Sequence, residues 1–216
     1  MLFDFEAMPK KDRYKLVVAS VVPRPIAWIV TLDANGVANA APFSFFNVLA
    51  SDPVILGIGV GLRGVGGEEG EDRKDTMVNI QATGEFTVCL VNEATAEAMN
   101  VTGADFPPGI DELDQAGLTK SPSAKIRVPR IAESPVAMEC VLHQVVPLGG
   151  HNLVLGRVVA VHIDDECMLD AKRLYVDTPK LGLIGRMHGS GWYARTTDRF
   201  DMPRVTPESV AARRGG

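Results

Sequence analysis

The chain has 216 residues, of which 46% are apolar and 23% charged. That length and balance fit one globular domain and exclude a disordered chain, which buries too little apolar surface to offset its entropy. Lys and Arg number 22 against 27 Asp and Glu, a net charge of −5. No overall positive field therefore exists to attract a nucleic-acid backbone, although a local anion pocket needs only a few donors.

The three cysteines, Cys89, Cys140 and Cys167, are odd in number and far apart, which points to reduced thiols in a cytoplasmic protein rather than a disulfide framework. The amino-terminal segment carries Asp4, Glu6 and a basic cluster where a signal peptide needs an apolar run. The apolar stretch 53–62 has about half the length of a membrane span, so no membrane anchor is expected.

Residues 26–32 are β-branched and apolar and end in Asp33-Ala34-Asn35-Gly36, the pattern of a strand running into a tight turn. The returning strand starts at Val37, reaches Pro42 and continues into Ser44-Phe45-Phe46-Asn47. After the Asp52-Pro53 turn, a third strand covers 54–60. Short strands joined by turns leave no room for crossover helices, so the sheet is antiparallel. Residues 61–72 read as a glycine-rich acidic loop. A short helix follows over 76–83, capped by Asp75 or Thr76 and ended by Gly84. Next come a strand at 85–91, a helix at 93–101 and a long excursion over 106–124 with one helical turn at 111–116. Residues 136–147 and 153–163 form a hairpin through Gly149-Gly150, 182–193 a glycine-rich strand and loop, and the last sixteen residues a weakly ordered tail or a partner-binding arm. The expected architecture is mainly β, a barrel of about seven strands with two or three short helices on its rim.

Gly59-Val60-Gly61-Leu62-Arg63-Gly64 has the spacing of a dinucleotide fingerprint, but glycines and carboxylates follow where a helix must open. The phosphate-binding mechanism of that motif is therefore absent. A better anion site lies downstream, where Arg73 and Lys74 supply cations and Thr76 a hydroxyl beside the positive end of a helix. The same residues also describe an ordinary capped helix with surface cations. The segment from Asn39 to Asn47 interleaves small residues, Pro42, polar Asn39, Ser44 and Asn47 and three phenylalanines. Proline removes a ladder donor, so this is an edge or bulge where a flat aromatic ligand can approach bare backbone, or else an awkward strand end under the core. Cys140, His143 and His151 lack a further ligand pair at zinc spacing, and Ser44 lacks a nucleophile-elbow context.

Pro23-Arg24-Pro25-Ile26-Ala27-Trp28, Gly36, Asn39-Ala40-Ala41-Pro42-Phe43-Ser44, Asp52-Pro53, Lys74-Asp75-Thr76 and Gly84-Glu85-Phe86 occur in a fixed order. Leu155-Gly156-Arg157-Val158, His162, Gly185-Arg186 and Tyr193 continue it. The ordered set resembles the flavin reductase-like family of FMN-binding split-barrel proteins, which includes flavoredoxin and the reductase components of two-component flavin monooxygenases. The resemblance spans residues 20–195 and departs from the family at the acidic loop 61–72.

The resemblance implies a single-domain Greek-key split barrel that forms a homodimer with FMN near the interface. It implies that Asn39, Ala40, Ala41, Pro42, Ser44, Phe45 and Asn47 lie along the flavin ring, mainly through backbone groups. It implies that Arg73, Lys74 and Thr76 take the phosphate, with help from Arg24. His162, Arg186 and Tyr193, with His188, are the candidates for the open face of the ring, where structural roles compete. No catalytic acid or base and no metal are expected, because the cofactor carries the chemistry. The implied activity passes electrons from NAD(P)H through flavin to free flavin, a monooxygenase partner or another acceptor. The alternatives are a flavin-binding electron carrier or storage protein with no use for nicotinamide, and a scaffold that has lost its flavin.

Overall fold

The computed structural model describes residues 1–62, 73–107, 109–189, 191–207 and 209. The expectations for 63–72 of the acidic loop and for half of the carboxy-terminal tail, residues 208 and 210–216, fall outside the described residues. A helix α1 (Lys10–Ser20) leads into β1 (Ala27–Leu32), β2 (Ala38–Phe43), β3 (Phe46–Ser51) and β4 (Val54–Gly61). Then follow α2 (Asp75–Thr83), β5 (Glu85–Leu90), a single 3-10 turn and α3 (Ala96–Val101), and α4 (Glu112–Gln115). The long hairpin is β6 (Val136–Pro147) and β7 (His151–Ile163), and a short pair, β8 (Ile184–Arg186) and β9 (Tyr193–Arg195), comes near the end.

Seven strands form one antiparallel sheet in the order β2-β1-β5-β6-β7-β4-β3. Because every neighbouring pair is antiparallel, β2 and β3 at its two edges run in the same direction. The chain therefore passes from one edge to the other across Ser44-Phe45 without reversing. The Gly59 N–H donates to the Phe45 carbonyl at 2.7 Å, so pairing with β4 starts at that crossing. A mainly β split barrel results, closed by one bent strand.

Strand alternation divides β1 between two cores. Ala27 and Ile29 face the barrel interior with Leu56, Ile58, Phe86, Val88 and Val154, where Met77 and Ile80 of α2 plug the same cluster. Trp28 and Val30 face outward under Met99 of α3 and Leu113 of α4. The indole N–H of Trp28 is satisfied by Thr102 Oγ1 at 2.9 Å. Gly156 has a packing reason, since a Cβ there would meet Phe86 Cζ at 2.4 Å and expel the ring that fills the barrel.

The Asp33–Gly36 turn and the Gly84 helix stop form as expected, with Gly36 at φ 81° and Gly84 at φ 70°. The cap of α2 differs. Its N-cap is Lys74, without a side-chain cap bond, so neither Asp75 nor Thr76 caps it. Helix α1 was not expected. Among its residues only Val18 is buried, so no apolar stripe marks it in the sequence.

Candidate functional site

Where β2 gives way to β3, the barrel rim borders a groove of about 700 Å³. Pro42, Phe43, Ser44 and Phe45 line it from the bent strand, Gly59 and Gly61 from β4, Gly150 from the β6–β7 turn and His151 from the start of β7. Lys10, Lys11 and Tyr14 of α1 lean over it, and Lys74 stands at the α2 end. The Phe45 and His151 rings stack with centroids 5.7 Å apart at 23°, and Tyr14 leans on Phe45 at 6.4 Å. A Cβ on Gly59 would meet Phe45 Cβ at 3.0 Å, and one on Gly61 would meet His151 Nε2 at 3.2 Å. Bare backbone thus lets the aromatic walls close in.

The described lining holds three lysines and no carboxylate, inside a chain of net charge −5. Lys74 Nζ lies 5.5 Å from the Phe43 ring centroid. Burial pushes the His151 pKa below its ordinary 6.5, and Lys10 and Lys74 push it the same way, so the ring is neutral at pH 7. A smaller cavity of about 100 Å³ shares Pro42 and Lys74 with the groove and runs past Asp75 and Thr76 to Asn39 and Ala41.

The residues singled out in the sequence separate into groups. Ala41, Pro42, Ser44, Phe45, Lys74 and Thr76 line one cavity or the other. Asn39 lines the smaller cavity, but its amide donates to Glu112 Oε2 at 2.8 Å and its Oδ1 accepts from Thr76 Oγ1 at 3.1 Å. Ala40 is fully buried and gives its N–H to the same Glu112 oxygen at 2.7 Å. That N–H is therefore withdrawn from any ligand. By alternation Pro42 takes the next outward position on the strand, where it has a carbonyl but no N–H to offer.

Arg73 does not join Lys74. Its guanidinium donates to Gln81 Oε1 at 2.9 Å on the exposed side of α2. Asn47 is exposed on β3, and its Oδ1 accepts from the N–H of Val48. Arg24 is buried and commits four of its N–H donors, to the Val18 and Val21 carbonyls, Ser44 Oγ and the His188 carbonyl. It ties α1 and the bent strand to the β8–β9 loop and is not at the Lys74 end. His188, left-handed at φ 47°, offers that carbonyl. Arg186 donates to the Tyr193 hydroxyl and, at 3.2 Å, to the Gly189 carbonyl, so both side chains serve loop packing. His162 lies outside the groove lining and sits against Glu139 Oε1 at 2.5 Å.

An apolar slot with glycine walls and lysines at its ends suits a flat aromatic molecule that carries an anionic group. Residues 19–179 match the flavin reductase like domain. The chain belongs to the flavin reductase-like family. It is 40% identical to an uncharacterized protein of Deinococcus radiodurans over 208 residues, covering 94% of this chain and 89% of the relative. Among solved structures it resembles the 2-nitrobenzoate 2-nitroreductase of Pseudomonas fluorescens, with 34% identity, a TM-score of 0.85 and coverage of 96% and 98% of the two chains. It also resembles nitrilotriacetate monooxygenase component B of Bacillus cereus, with 32% identity, a TM-score of 0.85 and coverage of 94% and 98%. Flavin chemistry is thus the setting in which the groove is read.

Four of the residues that shape the rim escaped the sequence reading as site residues: Lys10, Tyr14, Glu112 and His151. Glu112 left one signal, the Asp111 cap that starts α4 by accepting from the Leu113 and Asp114 N–H groups. His151 was visible only as a fragment of a rejected zinc pattern. No group of side chains among the described residues could hold a metal ion, and no described helix is long and apolar enough to cross a membrane.

Proposed function

We propose that the protein binds FMN in this groove and is an oxidoreductase that passes electrons from NAD(P)H through the flavin to an acceptor. One observation carries this reading: the interrupted strand Pro42–Phe45, with the His151 ring stacked on Phe45, lines a groove that also takes in Lys74. When bound, FMN supplies the redox chemistry, and the protein's part is to bind and orient it. Pro42, Phe43 and Phe45 offer the ring a flat apolar surface. Ser44 presents a hydroxyl already fixed by Arg24 Nε at 3.2 Å. Lys74, with the start of α2 behind it, takes the phosphate by charge and dipole together. Neutral His151 borders the ring without adding a further cation to the groove.

Two of the solved relatives bear on the acceptor. Similarity to a 2-nitrobenzoate 2-nitroreductase supports a small aromatic acceptor, and similarity to a monooxygenase component supports a partner oxygenase. Val48 and Leu49 of β3 and Val54 of β4 are exposed apolar side chains, which favours pairing of two copies through this edge. The test is direct. Purified protein given FMN and either NADH or NADPH should bleach the flavin absorbance. A yellow protein that bleaches with neither nicotinamide would be an electron carrier instead. A protein that stays colourless, with no rise in melting temperature on adding FMN, would end the flavin reading; saturation at a hundredfold excess over Kd adds about 2.7 kcal/mol.

A further inference from the structure

Among the described residues, the groove lining holds more positive charge than a flavin tail needs. Lys74 stands at the α2 end against the Phe43 ring, whereas Lys10 and Lys11 approach from α1. Helix α1 contributes little to the core: Val18 is its one buried residue, and Arg24 holds that end through the Val18 and Val21 carbonyls. Its first turns instead serve the groove, with Lys10 and Tyr14 one helical turn apart on the same face. Asp12, the acid in that turn, is occupied by Lys15 at 2.9 Å and does not neutralise them.

Lys10 is aimed at a definite place. A Cβ built on Gly150 would stand 3.1 Å from Lys10 Nζ, so the ammonium group lies against bare backbone beside His151. Next to it, Tyr14, Phe45 and His151 form a run of three rings in contact. An ammonium group beside an aromatic wall matches a planar ring that bears a carboxylate, which pairs with the charge while its ring stacks.

We propose that Lys10 and Lys11, with Tyr14, form a seat for the anionic group of the second substrate, a small aromatic carboxylate that lies over the flavin. The seat rests on the flavin reading above but is separate from the phosphate site at Lys74. It assigns to α1 the selection of the acceptor, and to the bent strand and α2 the holding of the cofactor.

The experiment uses the FMN-loaded full chain and follows perturbation of the visible flavin spectrum by benzoate and by benzamide, its neutral counterpart. Benzoate should bind at least about tenfold more tightly than benzamide, and added salt should erode the difference. Lys10→Gln with Lys11→Gln should remove that preference, leave benzamide binding within about twofold, and leave FMN and riboflavin affinities unchanged. Lys10→Arg with Lys11→Arg should restore it. Equal binding of benzoate and benzamide to the native protein overturns the proposal. So does a double Gln variant that loses FMN but keeps riboflavin, because the lysines would then be holding the phosphate. Failure to take up FMN at all is seen first, as a colourless protein, and ends the flavin reading. Because the readout is binding, the absence of NAD(P)H-driven bleaching does not touch it.

Discussion

Strand β7 carries one histidine at its start and another near its end, eleven residues and roughly 35 Å of extended chain apart. Their electrical surroundings are opposite. His162 meets Glu139, a fully buried carboxylate that also accepts the N–H groups of Ala124 at 2.6 Å and Lys125 at 2.7 Å. His151 meets cations, Lys10 from the first helix and Lys74 from the loop before α2. The first is a closed knot that ties the excursion after α4 to the barrel wall. The second lies at the rim of an open groove. What a histidine does on this strand is decided by charges that reach it from distant parts of the chain.

The larger effect is expected at the closed end. Glu139→Ala empties a fully buried position and removes the acceptor of two backbone N–H groups and of His162, all of them within partial reach of water. It should cost about 3 kcal/mol in denaturant unfolding, the sum of several lost bonds to a charged group less what water restores. FMN affinity of the folded variant should not change, because this knot lies outside the groove. Burial works to raise the Glu139 pKa, but the bonds from Ala124, His162 and Lys125 outweigh it and hold the pKa below 4.5. A depressed carboxylate stabilises the fold above its unfolded pKa and loses that contribution as pH falls through the folded one. The native protein should therefore lose stability on acidification below about pH 4.5, and the variant should lose less.

The groove end should respond in the reverse sense. Lys74→Ala removes the ammonium group proposed for the phosphate, so FMN should weaken by about 1.5–3 kcal/mol while riboflavin, which lacks the phosphate, changes little. Melting of the flavin-free protein should be nearly unaffected, since among the described residues the Lys74 ammonium group packs against the Phe43 ring and makes no ion pair. Equal losses for the two flavins would move the phosphate away from α2.

The barrel was legible in the sequence because its signals are local. The apolar run of β1, the Asp33–Gly36 turn, the Gly84 stop and the Gly149-Gly150 hairpin each lie within a few residues. The interruption at Pro42–Phe45 was legible for the same reason, and it is where the sheet's two edges meet. The rest depends on contacts far apart in the chain. Asn39 reads as a ligand group until Glu112, 73 residues later, takes its amide. Arg73 reads as the partner of Lys74, yet it turns to Gln81 on α2, the helix that follows it. Arg24 lies within the Pro23-Arg24-Pro25 motif, but its guanidinium is spent on carbonyls that only the folded α1 and β8–β9 loop bring together. Helix α1 buries one residue, so periodicity had nothing to show.

The smallest expected effect concerns His151 itself and bears on both ends of the comparison. Burial and two nearby lysines depress its pKa, so the unfolded chain binds a proton more readily than the folded one. Stability should then decline as pH falls from about 6.5, because acid favours the state that takes up more protons. His151→Gln removes that site, and its denaturation midpoint should differ less between about pH 7.5 and about pH 5.5 than the native midpoint does. Adding FMN should flatten the native profile as well, since a phosphate beside Lys74 cancels part of the repulsion that keeps His151 neutral. Riboflavin should not flatten it. A native profile unmoved by FMN, with Lys74 still discriminating between the two flavins, would mean that desolvation rather than the lysines governs the ring.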